Sequence, residues 1–226
     1  MSLAEWIKNK NIKYNDFKIY EEAFVHTSYL NEHKAAKNDN ERLEFLGDAV
    51  LQIWVSEQLY KMEPKLAEGK MTTTRAQLVC EKSLASYSRT LGINKFLKLG
   101  IGEEKSGGRD RDSILANLFE ATIGAIYADA GMESASIILE EVIRPAMEHP
   151  EETGFTDYKT KLQECVQSDT RKNVVYELVK TSGPSNSPSF DVVVKLDNIV
   201  LGKGYGKSKK RAEQMAAKDA FEKMAG

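Results

Sequence analysis

Residues 40–51, Asn40-Glu41-Arg42-Leu43-Glu44-Phe45-Leu46-Gly47-Asp48-Ala49-Val50-Leu51, form the stretch whose reading decides the fold. At about 100° per helical residue, Glu41, Glu44 and Asp48 fall within one arc of roughly 60°. Leu43, Leu46, Val50 and Trp54 occupy the opposite side, where a core would lie. Phe45, Val55 and Leu59 fall on or beside the acidic arc, so the helix, expected over about Asn40 to Tyr60, has no ordinary solvated stripe. A helix apolar nearly all round is expected to be buried in protein. Buried carboxylates must in turn be paired, neutralised or bound to a metal.

A second helix, expected over Ser113 to Asp129, offers the other half of such a site. Leu115, Leu118, Phe119, Ile123 and Ile126 make its core face, and Asn117 with Glu120 point the other way at i, i+3 spacing. A solvated polar face is the ordinary reading of that pair. Ala121, Gly124, Ala125 and Ala128 share the face, however, and side chains this small let another helix come close, which sets Glu120 against a packed surface. The donors are then all oxygens. Cys80 and Cys165 are too few and too far apart for a disulfide framework or a zinc site, and His26, His33 and His149 form no spaced ligand set. Such a centre suits a hard divalent ion, magnesium with manganese as a substitute. No small-molecule cofactor is expected.

Working outward, Ala4 to Lys8 and Glu21 to Leu30 read as short helices and Asn31 to Asp39 as a polar loop. Pro64 and Gly69 break the pattern before Met71 to Thr90 resumes it as one further helix. Leu99 to Asp112 is glycine-rich and charged, which predicts a loop, either functional or a simple surface excursion. Glu133 to Met147 closes the helical region, with Pro145 and Pro150 marking its end, and 151–156 reads as a linker. Residues 1–150 are therefore expected to form an all-α domain.

Beyond the linker the period changes. Asp157 to Ser168 reads as a helix, Val174 to Lys180 and Phe190 to Leu196 alternate as strands, and Asp197-Asn198 suits a two-residue hairpin turn. A third strand begins at Ile199, and Ser208 to Met224 returns to helix with Ala212, Ala216 and Ala220 as its small stripe. The order α-β-β-β-α predicts a small α+β domain over 157–226. Charge divides with the pattern: the 32 Lys+Arg and 34 Asp+Glu split into 13 against 9 in residues 157–226, a net of +4, and 19 against 25 before them, a net of −6. A basic tail on an acidic body suggests a polyanionic partner. Lys207-Ser208-Lys209-Lys210-Arg211, at the start of the last helix, is either a solvated basic surface or a phosphate clamp built on a helix N-terminus. No stretch approaches the ~20 apolar residues of a membrane span, and Met1 to Tyr14 lacks the apolar run of a signal peptide, so no membrane association and a cytoplasmic location are expected.

The segment at 40–51 resembles the signature of the ribonuclease III family. His26-Thr-Ser28, Glu68-Gly69 with Thr72 and Arg75-Ala-Gln-Leu-Val79, Gly102 to Arg109, and Phe119-Glu-Ala121 resemble further family segments. The tail resembles a double-stranded-RNA-binding domain, including Gly183-Pro184 and Lys207 to Glu213. This resemblance implies a homodimeric endonuclease, paired through its first domain, that cuts both strands of duplex RNA and leaves 5′-phosphate and 3′-hydroxyl ends with short 3′ overhangs. It further implies roles in ribosomal RNA precursor processing and in mRNA processing or decay. Carried over by position, Glu44, Asp48 and Glu120 match metal-binding acids, Asp48 and Glu120 the catalytic ones, and Glu41 and Glu68 supporting acids. Phe45 matches an aromatic that plugs into the partner subunit. In the tail, Thr160, Gln163, Glu164 and Gln167 match minor-groove contacts, Pro184 and Asn186 a loop contact, and Lys207, Lys209 and Lys210 phosphate contacts.

Two positions depart from the family. Asn117 stands at a metal position where Asp is frequent, bringing an oxygen but no charge, and Asn186 stands where His is frequent. The retained acids favour hydrolysis by metal-activated water. The alternative is a catalytically impaired double-stranded-RNA-binding protein, and a third class, a hydrolase of small phosphate esters, is disfavoured by the basic α-β-β-β-α tail.

Overall fold

A computed structural model describes residues 1–33, 37–148, 158–170, 172–184 and 188–225. The chain divides into two compact units, Met1–Phe155 and Thr156–Gly226. The segment expected as a linker, 151–156, lies outside the described residues.

The first unit is helical. Its elements are α1 (Leu3–Asn9), α2 (Phe17–Ala23), α3 (Thr27–Glu32), α4 (Glu41–Lys61), α5 (Glu68–Leu78), α6 (Glu81–Leu91), α7 (Ile101–Lys105) and α8 (Asp112–Glu148), with short 3-10 turns at Ile93–Phe96 and Gly108–Asp110. The core gathers Trp6, Tyr20, Phe24, Leu51, Trp54, Leu115, Phe119 and Ile123, all at most 2% exposed, with α8 running through its middle against α4 and α6.

Backbone geometry explains how close α4 and α8 come. A methyl group on Gly47 would lie 1.8 Å from the Glu120 carbonyl oxygen, and one on Gly124 would lie 2.1 Å from that of Leu43. Each glycine thus receives the other helix's main chain. A glycine in a helix interior costs about 1 kcal/mol relative to alanine, so two that face each other signal a close crossing. Leu43, Val50 and Trp54 bury the core side of α4.

Several sequence expectations change. The helix carrying 40–51 is not buried all round: Val55 and Leu59 are covered, but Phe45, Ile53 and Tyr60 are 82%, 62% and 77% exposed, Leu46 is half-buried, and Glu41 and Asp48 are exposed. Alternating apolar and acidic residues on one side therefore marked a surface, not a second core contact. Glu21 to Leu30 is two helices, because Val25 bridges Lys98 in parallel, with Lys98 N–H donating to Phe24 O (2.8 Å) and His26 N–H to Lys98 O (3.1 Å). His26 then caps α3, its ring nitrogen accepting from Ser28 N–H. Met71 to Thr90 likewise breaks at Cys80, an extended residue that starts α6, where the Ser83 hydroxyl donates to Gln77 O at 2.6 Å.

The expected loop 99–112 is ordered into α7 and a 3-10 turn. Paired charges hold it: Arg109 bonds both oxygens of Glu104 (2.9 and 2.5 Å), and Arg111 bonds Glu103 (2.6 Å). Outside ties hold its start, with Gly100 N–H donating to Ser28 Oγ and Ile101 N–H to Glu32. Finally, the two helices expected over 113–129 and 133–147 are one element kinked at Gly131, whose φ of 78° lies in the left-handed region. α8 also continues past Pro145, an exposed residue near its end where solvent meets the carbonyl left without a donor.

The second unit has the expected order: α9 (Tyr158–Thr170), β1 (Val175–Ser182), β2 (Ser189–Leu196), β3 (Ile199–Gly206) and α10 (Lys209–Ala225). Its strands form an antiparallel sheet in the order β1-β2-β3. The β2–β3 turn is Asp197-Asn198, both at positive φ (49° and 68°), as a mirror-image two-residue hairpin requires. Alternate glycines of β3 admit α10 against the sheet: a methyl on Gly202 would lie 2.4 Å from Ala216 O, and one on Gly204 would lie 2.1 Å from Ala212 O. The alanine stripe and the glycine strand are one interface. Leu162, Val166, Val192 and Val194 complete the core. No helix among the described residues is long and apolar enough to cross a membrane.

Candidate functional site

The α4–α8 crossing determines which carboxylates meet. Gly47 lies one residue before Asp48 and three after Glu44, and it rests on the carbonyl of Glu120. Side chains from two helices therefore converge where the backbones touch. Burial pushes the Glu120 carboxyl up to about 7, with the charges of Asp48 and then Glu44 adding to the rise. Glu44 is also raised, first by burial and then by Glu41; a hydrogen bond from Asn117 opposes the rise, and Asp39 and Asp48 add to it. These groups thus form one field of negative charge.

The remaining acids are placed differently. Glu41, exposed at the first turn of α4, accepts from the Thr27 hydroxyl at 2.9 Å. Asp48 accepts from Gln52 at 3.3 Å along its own helix. Glu68 stands apart on α5, accepting from Thr72 at 2.9 Å. It lines a groove of about 480 Å³ with Ile53, Ser56, Tyr60, Met71 and Arg75, and it is not among the charges that move Glu44 or Glu120. Asp39, unnoticed in the sequence, does act on Glu44. Phe45 lies on the exposed side of α4, in a stripe with Ile53 and Tyr60 that spans about 80° of arc.

Among the described residues, no group of three or more His, Cys, Asp or Glu side chains is arranged so that it could hold a metal ion. The donor chemistry nevertheless fits a hard cation. Three carboxylates and the Asn117 side-chain oxygen can offer oxygen ligands, and Glu44 and Glu120 are held above their ordinary range first by burial and then by neighbouring carboxylates, charges that a cation would offset.

In the second unit, Thr160, Glu164 and Gln167 are exposed along α9. Gln163 is half-buried and bonded inward: its oxygen accepts from Val174 N–H (3.1 Å) and its amide donates to Lys172 O (3.1 Å) and Asn173 Oδ1 (3.0 Å). Gln167 also donates to Asn173 Oδ1, at 3.0 Å. Both glutamines brace the turn from α9 into β1. Pro184 is exposed after Gly183, whose φ is 91°, and Asn186 lies outside the described residues.

Lys207, Lys209 and Lys210 are exposed around the start of α10. Ser208 begins that helix, its hydroxyl accepting from Arg211 N–H at 3.2 Å. The other first-turn N–H groups lack intrahelical acceptors, and with the lysine ammonium groups they form an anion-attracting corner. Lys207 reaches Ser189 at 3.5 Å, which ties the corner to the edge of β2.

Comparison with known proteins matches both units. Residues 16–147 match the family model "Ribonuclease-III-like", and residues 158–224 match "Double-stranded RNA binding motif". "Ribonuclease 3" of Streptococcus gordonii is 50% identical over 211 residues, covering 93% of this chain and 91% of that protein. "Ribonuclease 3" of Listeria welshimeri is 45% identical over 212 residues, covering 93% of each. Among solved structures, the nuclease domain of ribonuclease III from Campylobacter jejuni, described for flexibility in a region involved in dimer formation, superimposes with a TM-score of 0.57 at 35% identity. That match covers 63% of this chain and 99% of the other.

Proposed function

Because the chain belongs to the ribonuclease III family, we propose that this endoribonuclease hydrolyses both strands of duplex RNA at the α4–α8 crossing, leaving 5′-phosphate and 3′-hydroxyl ends with short 3′ overhangs. The observation that carries this reading is the raised Glu120 carboxyl, pressed on by Asp48 and Glu44 across touching helix backbones. Glu44, Asp48 and Glu120, with the Asn117 oxygen, are the residues that would hold magnesium, or manganese in its place. Bound there, such an ion supplies Lewis acidity, making a water nucleophilic near neutral pH and offsetting charge on the phosphoryl group. Asn117 contributes through Glu44, which its amide steadies. Glu41 and Glu68 extend the acidic surface at the first turns of α4 and α5.

The second unit binds the duplex. Thr160, Glu164 and Gln167 offer polar groups to 2′-hydroxyls in the minor groove, Gln163 braces the α9–β1 turn behind them rather than reaching the RNA, and Pro184 and Asn186 serve a second groove contact. Lys207, Lys209 and Lys210 engage the intervening phosphates. Recognition of this kind reads shape over about 16 base pairs rather than sequence. Two copies pair through the exposed stripe around Phe45, where Phe45, Ile53 and Tyr60 stand in solvent beside the acidic arc of α4. Residues 1–150 and 157–226 act as the cutting and binding domains. Processing of ribosomal RNA precursors and of mRNA, in the cytoplasm, suits such an enzyme.

Long labelled duplex RNA, incubated with the protein in magnesium and then in EDTA, tests the proposal. Cutting in magnesium alone is the expected result. Retention of RNA without cutting under both conditions would identify a binding protein instead. Glu120→Gln should bind RNA and leave it intact, and normal cleavage by that variant would remove Glu120 from the site.

A further inference from the structure

The rim of the acidic centre is held by a residue outside the metal-binding set. Thr27, the first residue of α3, has a single hydroxyl hydrogen within reach of two carboxylates, Glu41 Oε1 at 2.9 Å and Asp39 Oδ2 at 3.1 Å. The other oxygen of Asp39 accepts from Glu41 N–H at 3.2 Å, so Asp39 supplies the capping bond that Asn40 does not make for α4. Thr27, Asp39 and Glu41 thus form a closed ring at the start of the helix that carries Glu44 and Asp48.

Both ends of this ring are anchored. Thr27 is fixed because His26 N–H is bonded to Lys98 O (3.1 Å) and the His26 ring caps α3. Asn40, 3% exposed, ties the other end to the same turn, with its N–H donating to Val25 O (2.9 Å) and its amide to Ala23 O (3.2 Å). Glu41 lies in the first turn of α4, three residues before Glu44, so a ring that fixes Glu41 and Asp39 fixes the start of the helix that presents Glu44 and Asp48.

We infer that Thr27 is a positioning residue for the metal centre, its hydroxyl fixing Glu41 and Asp39 beside Glu44. Hydrogen-bond partners that orient acidic groups around a metal typically change affinity or activity by 10–100-fold when removed. This inference rests on the proposed reading of Glu44, Asp48 and Glu120 as the metal-binding set.

Thr27→Val keeps the shape of the side chain and deletes the hydroxyl, whereas Thr27→Ser keeps the hydroxyl. The measurement is the rise in melting temperature of the full chain as Mn²⁺ or Mg²⁺ alone is titrated, alongside kcat and KM on duplex RNA. Thr27→Val should need about tenfold more ion to reach half of the melting shift, lose kcat with KM little changed, and melt within a few degrees of the unmodified protein in EDTA. Thr27→Ser should restore both the ion midpoint and kcat. A Thr27→Val protein with an unchanged ion midpoint overturns the inference, as does one whose melting temperature falls equally with and without ion, since that marks a purely structural role. If the unmodified protein shows neither an ion-induced shift nor cleavage, the metal-centre reading fails and this inference fails with it.

Discussion

Replacing Glu120 by glutamine should make the metal-free protein more stable while abolishing cleavage. Unfolded, the Glu120 carboxyl titrates near its ordinary value of 4.5; folded, it titrates at about 7 because burial and the charges of Asp48 and Glu44 oppose ionisation. The folded chain therefore holds this proton more tightly than the unfolded chain does. The resulting penalty is absent below about pH 4.5, grows as pH rises towards 7, and is constant above that. A shift of this size corresponds to about 3 kcal/mol at 1.36 kcal/mol per unit. Because the side chain is partly open to water, solvent screening reduces this to on the order of 1–2 kcal/mol.

Glutamine keeps the shape and carries no charge, so it recovers that energy in EDTA at pH 8 and gains almost nothing near pH 4.5. For a helical unit of this size, the gain at pH 8 is a rise of about 2–8 °C in melting temperature. Thermal and urea melts of both proteins at pH 8 and pH 5 in EDTA provide the measurement. A Glu120→Gln protein less stable than its parent at pH 8, or one whose gain is the same at both pH values, would refute the electrostatic account of the site. Added magnesium should then stabilise the parent more than the variant, because binding to the folded form alone raises its stability.

Gly47→Ala should cost about 1–3 kcal/mol or more, since its methyl meets the Glu120 main chain rather than a movable side chain, and cleavage should fall with it; urea melts and an RNA-cutting assay check both. Asn117→Asp should lower the magnesium concentration needed for half-maximal cutting and destabilise the metal-free protein, because it adds a charge beside Glu44; a large loss of rate would give Asn117 another role. Lys209→Ala with Lys210→Ala should weaken binding across unrelated duplexes and reduce the slope of log affinity against log salt by about 1–2, read from binding isotherms; loss confined to some sequences would contradict phosphate contact. Phe45→Glu should shift the protein towards monomer in sedimentation, leaving its melting temperature at high dilution nearly unchanged because the ring is 82% exposed.

Local pattern carried much of the fold into the sequence. The period of α4 and α8, the α-β-β-β-α order and the Asp197-Asn198 turn all depend on neighbours within a few residues, and they were legible. What was misread depends on distant partners. Nothing near Val25 announces that Lys98 will break a helix there, and the glycine-rich 99–112 segment is ordered by charge pairs and by ties to Ser28 and Glu32.

In the candidate site, the approach of Glu120 to the acids of α4 was legible from the small residues around Gly124. Its counterpart, Gly47, was present in the quoted stretch as a glycine inside a helix, and Gly202 and Gly204 face the alanines of α10 in the same way. Asp39 and Thr27 were not legible, since their link crosses a loop. The error over burial of α4 had a related cause, because exposed apolar residues on an acidic side look the same in sequence whether another helix or a second molecule is to cover them.

That exposed stripe also links assembly to ionic conditions. Phe45 is flanked by Glu41, Glu44 and Asp48, so two molecules joining through it bring like-charged clusters towards each other. Coulombic repulsion then opposes an association that apolar contact favours, and screening acts over about 8–10 Å at ordinary salt. Self-association should accordingly tighten with added salt, and more steeply with divalent ions bound at the acids.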